Sequence, residues 1–186
     1  DAALAAFARA EEEAGGAFDV VINNAGYGVF APFHREDFPV WQAQLEAMLT
    51  VTLRLTHAAF GTMQARGRGV LVNVSSLAAD FPLPFMSTYN VAKAGLSAFS
   101  ESLMLETAGT GLTVIDFRPG DHRTGFNQAM QPPSGLQASS ARTARVWRVL
   151  EANLRDGPPP EAAARDLRRA LARPRSGVVR SGSFFQ

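Results

Sequence analysis

Three short apolar runs constrain this chain most: Phe18-Asp19-Val20-Val21-Ile22, Gly69-Val70-Leu71-Val72-Asn73-Val74 and Leu112-Thr113-Val114-Ile115-Asp116-Phe117. The first shows no alternation of polar with apolar residues, which marks a strand covered on both faces and hence a parallel sheet. The other two read as buried strands by length and β-branched content. Helical patterns separate them. Ala2 to Ala14 is alanine-rich and stopped by Gly15-Gly16, and a long apolar helix runs from Phe38 or Pro39 to about Gly67. A third helix starts at Tyr89 and ends near Gly109, and a mixed helix reaches about Arg155. Pro158 to Pro160 open a last helix through Ala172, and Gly177 to Gly182 reads as a final strand. The alternation predicts one α/β domain over residues 1–186, a doubly wound parallel sheet with helices on both faces.

In an open α/β sheet, ligands sit at the carboxyl ends of the strands, and there the Gly69 run delivers Ser75 and Ser76. Downstream, Ala92, Leu96, Phe99, Leu103 and Leu105 form an apolar stripe, so Tyr89 and Lys93 fall one turn apart on one helical face. A free tyrosine, with a pKa near ~10, is a poor acid or base at neutrality, and a nearby cation favours its phenolate. The spacing therefore predicts a tyrosine that moves protons with Lys93 beside it, and a Ser76 hydroxyl that holds a substrate oxygen. A lone Tyr-x-x-x-Lys is also what a solvated helix face carries.

The order of four blocks decides between these readings. Asn23-Asn24-Ala25-Gly26, Ser76, Tyr89-Asn90-Val91-Ala92-Lys93 and Pro119-Gly120 together resemble the short-chain dehydrogenase/reductase family. The resemblance implies a Rossmann-like sheet and hydride transfer between NAD or NADP and an alcohol or carbonyl substrate. Tyr89 would be the general acid/base, Lys93 would lower its pKa and hold the cofactor ribose, and Ser76 would bind the substrate oxygen. Asn23 would tie the sheet together, with the backbone of Ala25 and Gly26 against the cofactor. Pro119, Gly120 and Thr124 would meet the nicotinamide carboxamide and phosphates. Residues 121–157, including the hinge-like Gln131-Pro132-Pro133-Ser134-Gly135, match the substrate lid. The resemblance also implies a homodimer or homotetramer through the 38–67 and Tyr89 helices; the alternative buries both faces of these helices within one subunit.

Two departures stand against the family pattern. Relatives carry an asparagine where this chain has Met48, and that asparagine positions a water linking the lysine to solvent; a thioether accepts hydrogen bonds only weakly and donates none. The family's amino-terminal βαβ portion, with its glycine-rich turn, is absent from this chain, which leaves the strand at Val20 to Ile22 as an apolar edge. The sequence thus reads as part of a longer protein. A catalytically degenerate relative serving as a binding or scaffold protein is the competing reading.

Between Ser76 and Tyr89, the large apolar residues Leu77, Phe81, Leu83, Phe85 and Met86 share a loop with Pro82 and Pro84. They either wall a pocket for an apolar substrate or plug the core beneath it. His122 lacks a partner at metal-ligand spacing and reads as loop surface; no metal is expected. A formal net charge of +1 gives no electrostatic case for nucleic acid or anionic lipid. Arg165, Arg168, Arg169, Arg173, Arg175 and Arg180 alternate with apolar residues as a solvated helix face does. Cysteine is missing, so a reducing cytoplasm is the compatible compartment, and no run approaches the ~20 residues of a membrane span.

Overall fold

The computed structural model describes residues 2–126, 130 and 140–182. Its four strands, β1 (Val20–Asn23), β2 (Gly69–Val74), β3 (Leu112–Pro119) and β4 (Gly177–Ser181), form one parallel sheet in the order 1-2-3-4. Helix α1 (Ala2–Glu13) precedes β1. Helices α2 (Phe38–Leu45) and α3 (Val51–Arg66) cross from β1 to β2, α4 (Ser87–Glu106) from β2 to β3, and α5 (Ala141–Asp156) with α6 (Pro160–Ala172) from β3 to β4.

Alternation along β2 and β3 sorts the core into two layers. Leu71 and Val114 pack under α4 with Leu103 and Phe99, together with Phe60 of α3. Val72, Val74, Ile115 and Phe117 face the opposite way, toward Ala163, Leu167 and Leu171 of α6. Helices on both faces make this the doubly wound α/β arrangement that the strand runs predict. The arginines of α6 lie on its outer face, as their spacing suggests.

Asn23 closes β1 onto its neighbours: its amide donates to Asn73 Oδ1 and to Thr56 Oγ1, both at 2.9 Å, and Asn73 in turn donates to Ser100 Oγ at 2.9 Å. These bonds tie β1, β2, α3 and α4 together beside the strand ends. β1 is an edge strand of the sheet, and Val20 and Ile22, which share one of its faces, are 40% and 45% exposed, so the expectation that this run is covered on both faces is not met.

The helix expected without a break from Phe38 to Gly67 is interrupted. Between α2 and α3 lies a π turn, Glu46–Thr50, closed by the Val51 amide on the Glu46 carbonyl. The apolar pattern hides it because Met48 and Leu49 are both apolar, so an extra residue leaves the hydrophobic count undisturbed. Such turns concentrate at functional sites, and this one places Met48. Gly67, in the left-handed region at φ 71°, ends α3. Among the described residues no helix is long and apolar enough to cross a membrane.

Candidate active site

Ser76, just past β2, is extended (φ −172°, ψ 159°), and its Oγ accepts the Ala78 amide at 3.0 Å, capping the short 3₁₀ turn Leu77–Ala79. This bond takes one of the two lone pairs of the oxygen and leaves the hydroxyl hydrogen to donate elsewhere. Tyr89, in the first turns of α4, shares a side-chain hydrogen bond with Ser76. One turn on, Lys93 donates to the Val74 carbonyl at 2.7 Å, with its ammonium 5.9 Å from the Tyr89 ring centre. All three are buried.

The electrostatics differ from the expectation. Burial pushes the Tyr89 phenol up, the Ser76 hydrogen bond draws it down, and the negative field of Asp121 pushes it up further; the net direction is upward. A cation one turn away therefore does not acidify this phenol. Lys93 is itself lowered to about 8 by burial, which Asp116 opposes, and its ammonium is turned to the Val74 carbonyl. Desolvation outweighs the cation because both groups lie in the same dry site.

A cleft of about 740 Å³ opens above these residues. Gly26, Pro119, Gly120 and Thr124 line it with Ser76, Tyr89 and Lys93. A β-carbon at Gly26 would lie 3.4 Å from Met48 Cε and 3.6 Å from Lys93 Nζ, so bare backbone passes beside the ammonium and Met48 stands where the sequence puts it. Asn23 and Ala25 are not brought to the cleft: the Asn23 side chain is consumed within the scaffold. Asn24 and Asp121, which sequence reasoning passed over, do line it.

The walls are apolar. Leu77, Leu83 and Met86 of the proline-containing loop line it together with Phe126, Met130 and the α5 residues Leu150 and Leu154. Phe85 goes into the core and Phe81 is 53% exposed, so the loop both walls and plugs. The Gln131 to Gly135 stretch lies outside the described residues. His122 is not loop surface: it is buried, its Nδ1 lies 3.0 Å from the Gly120 carbonyl, and its Nε2 has no partner.

One signal in the sequence went unread. Lys93 is the chain's single lysine, against 17 arginines. Arginine cannot give up its proton in a protein, whereas a buried lysine shifts its pKa readily.

A four-stranded parallel sheet with helices on both faces and a Ser–Tyr–Lys cluster at its carboxyl edge defines a Rossmann-like α/β protein. Residues 1–134 match the family model described as short chain dehydrogenase, and the chain belongs to that family. It is 34% identical over 138 residues to dehydrogenase/reductase SDR family member 4 of Bos taurus, covering 72% of this chain and 48% of that protein. A short-chain dehydrogenase from Streptomyces avermitilis superposes with a TM-score of 0.80 at 26% identity, covering 96% of this chain and 65% of that one. A short chain dehydrogenase/reductase from Burkholderia phymatum, solved in complex with NAD, gives 0.79 at 21% identity over 93% of this chain and 64% of that one; it speaks to the fold alone. The chain spans about half the length of the curated relatives it matches.

Proposed function

We propose that this protein is an NAD(P)-dependent oxidoreductase acting on an apolar carbonyl or alcohol substrate. The observation that carries the reading is the convergence of Ser76, Tyr89 and Lys93 on one cleft with apolar walls. The residues present fit a nicotinamide dinucleotide: Lys93 has spent one of its three N–H donors on protein, and both Lys93 and the bare backbone at Gly26 line the cleft. Gly26, Asn24, Pro119, Gly120 and Thr124 would hold the cofactor together with Tyr89 and Lys93. When bound, the nicotinamide supplies or takes up the hydride.

The chain's own residues handle the oxygen and the proton. Ser76 donates to the carbonyl oxygen as charge develops on it. Tyr89 passes its proton to that oxygen as the alcohol forms, leaving a phenolate one helical turn from the Lys93 ammonium. Burial holds the resting phenol protonated, which is the state of a proton donor. The apolar walls select the non-polar part of the substrate. Residues 121–157 act as its lid, with α5 bringing Leu150 and Leu154 to the opening. A homodimer would form across the outer face of α4, where Val91 is 55% and Leu105 80% exposed.

Met48 favours a degenerate, non-catalytic relative, but the relatives named above as dehydrogenases or reductases lend it no support. The test is Tyr89→Phe in the full-length protein, assayed by nicotinamide absorbance with a panel of apolar ketones. Removing the acid/base hydroxyl should cost on the order of 10²–10⁴ in rate with the fold intact. A variant that keeps most of the wild-type turnover would sink the assignment.

A further inference from the structure

Directly behind the cleft lies a carboxylate that the proposed chemistry does not use. Asp116 on β3 is 0% exposed. It accepts hydrogen bonds from three donors: Ser75 Oγ on Oδ1, and Ser97 Oγ and Arg118 Nε on Oδ2, the last two at 2.7 Å. Each donor neighbours a residue of the site. Ser75 precedes Ser76, Ser97 stands one turn beyond Lys93 on α4, and Arg118 precedes Pro119-Gly120. One buried anion thus fastens the three segments that carry the site.

A buried charge needs compensation, and Arg118 only partly provides it. The same guanidinium donates to Asp80 and Glu101 at 2.5 Å each and to Ser97, so its charge is divided among three carboxylates. The remaining field of Asp116 falls on Lys93, whose charged form burial disfavours and Asp116 favours. From the other elements packed against it, Lys93 is faced by uncharged groups: Met48 of the π turn, Gly26 of the loop after β1, and the Val74 carbonyl of β2. On its own helix it is faced by the Tyr89 phenol, and Asp121 acts on that phenol rather than on Lys93.

We infer that Asp116 is a positioning residue for the reaction, holding Ser76, Lys93 and the Pro119-Gly120 turn in register from behind. This rests on the catalytic reading above for its consequence in turnover, but not for its effect on Lys93. Asp116→Asn keeps the shape and removes the charge. In the full-length protein, titration of the Lys93 side chain by NMR with ¹³C-labelled lysine, assigned by its loss in Lys93→Arg, reads the effect directly. The midpoint, near 8 in the native protein, should fall by about one pH unit or more, the size of shift a neighbouring charge produces. Turnover should follow: close to wild type at pH 6, and lower by about fivefold or more at pH 8, where most of the variant has lost its ammonium.

Glu101→Gln, which breaks the outer arm of Arg118 at a half-exposed residue, should leave the Lys93 midpoint where it is. A purely structural role would lower stability in both variants and move the midpoint in neither, and an Asp116→Asn protein with the native midpoint overturns the inference. Should that variant fail to fold, Asp116→Glu decides: a midpoint held near the native value supports the inference, and one that falls despite the retained carboxylate overturns it. If Tyr89→Phe were to remain active, the catalytic reading would fail while the Lys93 titration still judged Asp116.

Discussion

The floor and the walls of the cleft are built by different physics. The floor is polar and cross-tied: Ser76 caps its own turn, Lys93 holds a strand carbonyl, Asn23 and Asn73 brace the strands, and Asp116 fastens three segments at once. The walls are side chains held by contact, with Phe30 edge-on to Phe85 and Trp147 at 5.5 and 5.1 Å between ring centres, and Met130 packed over Gly28. Directional bonds specify atoms, whereas apolar contact specifies volume. Chemistry therefore resides in the floor and substrate choice in the walls. Substitutions in the two regions should fail in different ways.

The largest effect belongs to the floor. Ser76→Ala deletes the donor to the substrate oxygen and should lower kcat by about 10²–10³, the cost of losing one such donor, with KM for apolar ketones little changed. A loss confined to KM would place Ser76 with the walls instead.

Next comes the energetic cost of the floor, read from Lys93. Its pKa falls from 10.5 in the open chain to about 8 when folded, so the unfolded state binds the extra proton between these values and stability rises with pH across that window. Below pH 8 the buried charge costs about 3 kcal/mol, offset in part by its bonds. Lys93→Met should thus gain most over the wild type in urea unfolding below pH 8, and the gap should close as pH rises toward 10.5. A gap independent of pH would mean that Lys93 is not desolvated as described.

Met48 lies where floor meets wall, beside Gly26 and the Lys93 ammonium. Met48→Asn should restore a polar link between Lys93 and solvent and raise turnover by about tenfold, at the lower edge of what proton-transfer assistance contributes, with some loss of stability from putting an amide in a packed site. A folded, cofactor-binding variant with no gain would mean the proton leaves by another route. The smallest effect is expected in the wall. Leu150→Ala should raise KM for bulky apolar substrates several-fold and spare kcat, since trimming apolar contact in a pocket is worth about 1–3 kcal/mol in discrimination.

Much of the floor was legible in the sequence because strands and helices carry periodic signals and its residues sit at their ends. The runs at Val20, Gly69 and Leu112 became β1, β2 and β3, and Ser76, Tyr89 and Lys93 met as their spacing required. What stayed hidden depends on where side-chain tips go. Helical spacing puts Lys93 beside Tyr89, but the ammonium turns to Val74, and the phenol rises rather than falls. His122 looked like loop surface because nothing nearby in sequence shows that Gly182, at the end of β4, lies against its ring. Asp116 and Arg118 read only as interruptions of an apolar run; their partners come from Ser75, Asp80, Ser97 and Glu101, which no local pattern connects to them.

The π turn at Glu46–Thr50 gives one stretch of this chain an unusual tolerance profile. Exchanging a residue there changes one side chain, but removing one would straighten the path and rotate everything on one side by about 100° relative to the other. Trp41 and Gln44, which donate to the carbonyls of Phe33 and Tyr27 ahead of the turn, would be thrown out of phase with Thr56, which accepts from Asn23 beyond it. A deletion scan and a substitution scan over the same five positions would therefore give opposite pictures of how constrained the segment is, and its length is what the fold holds fixed.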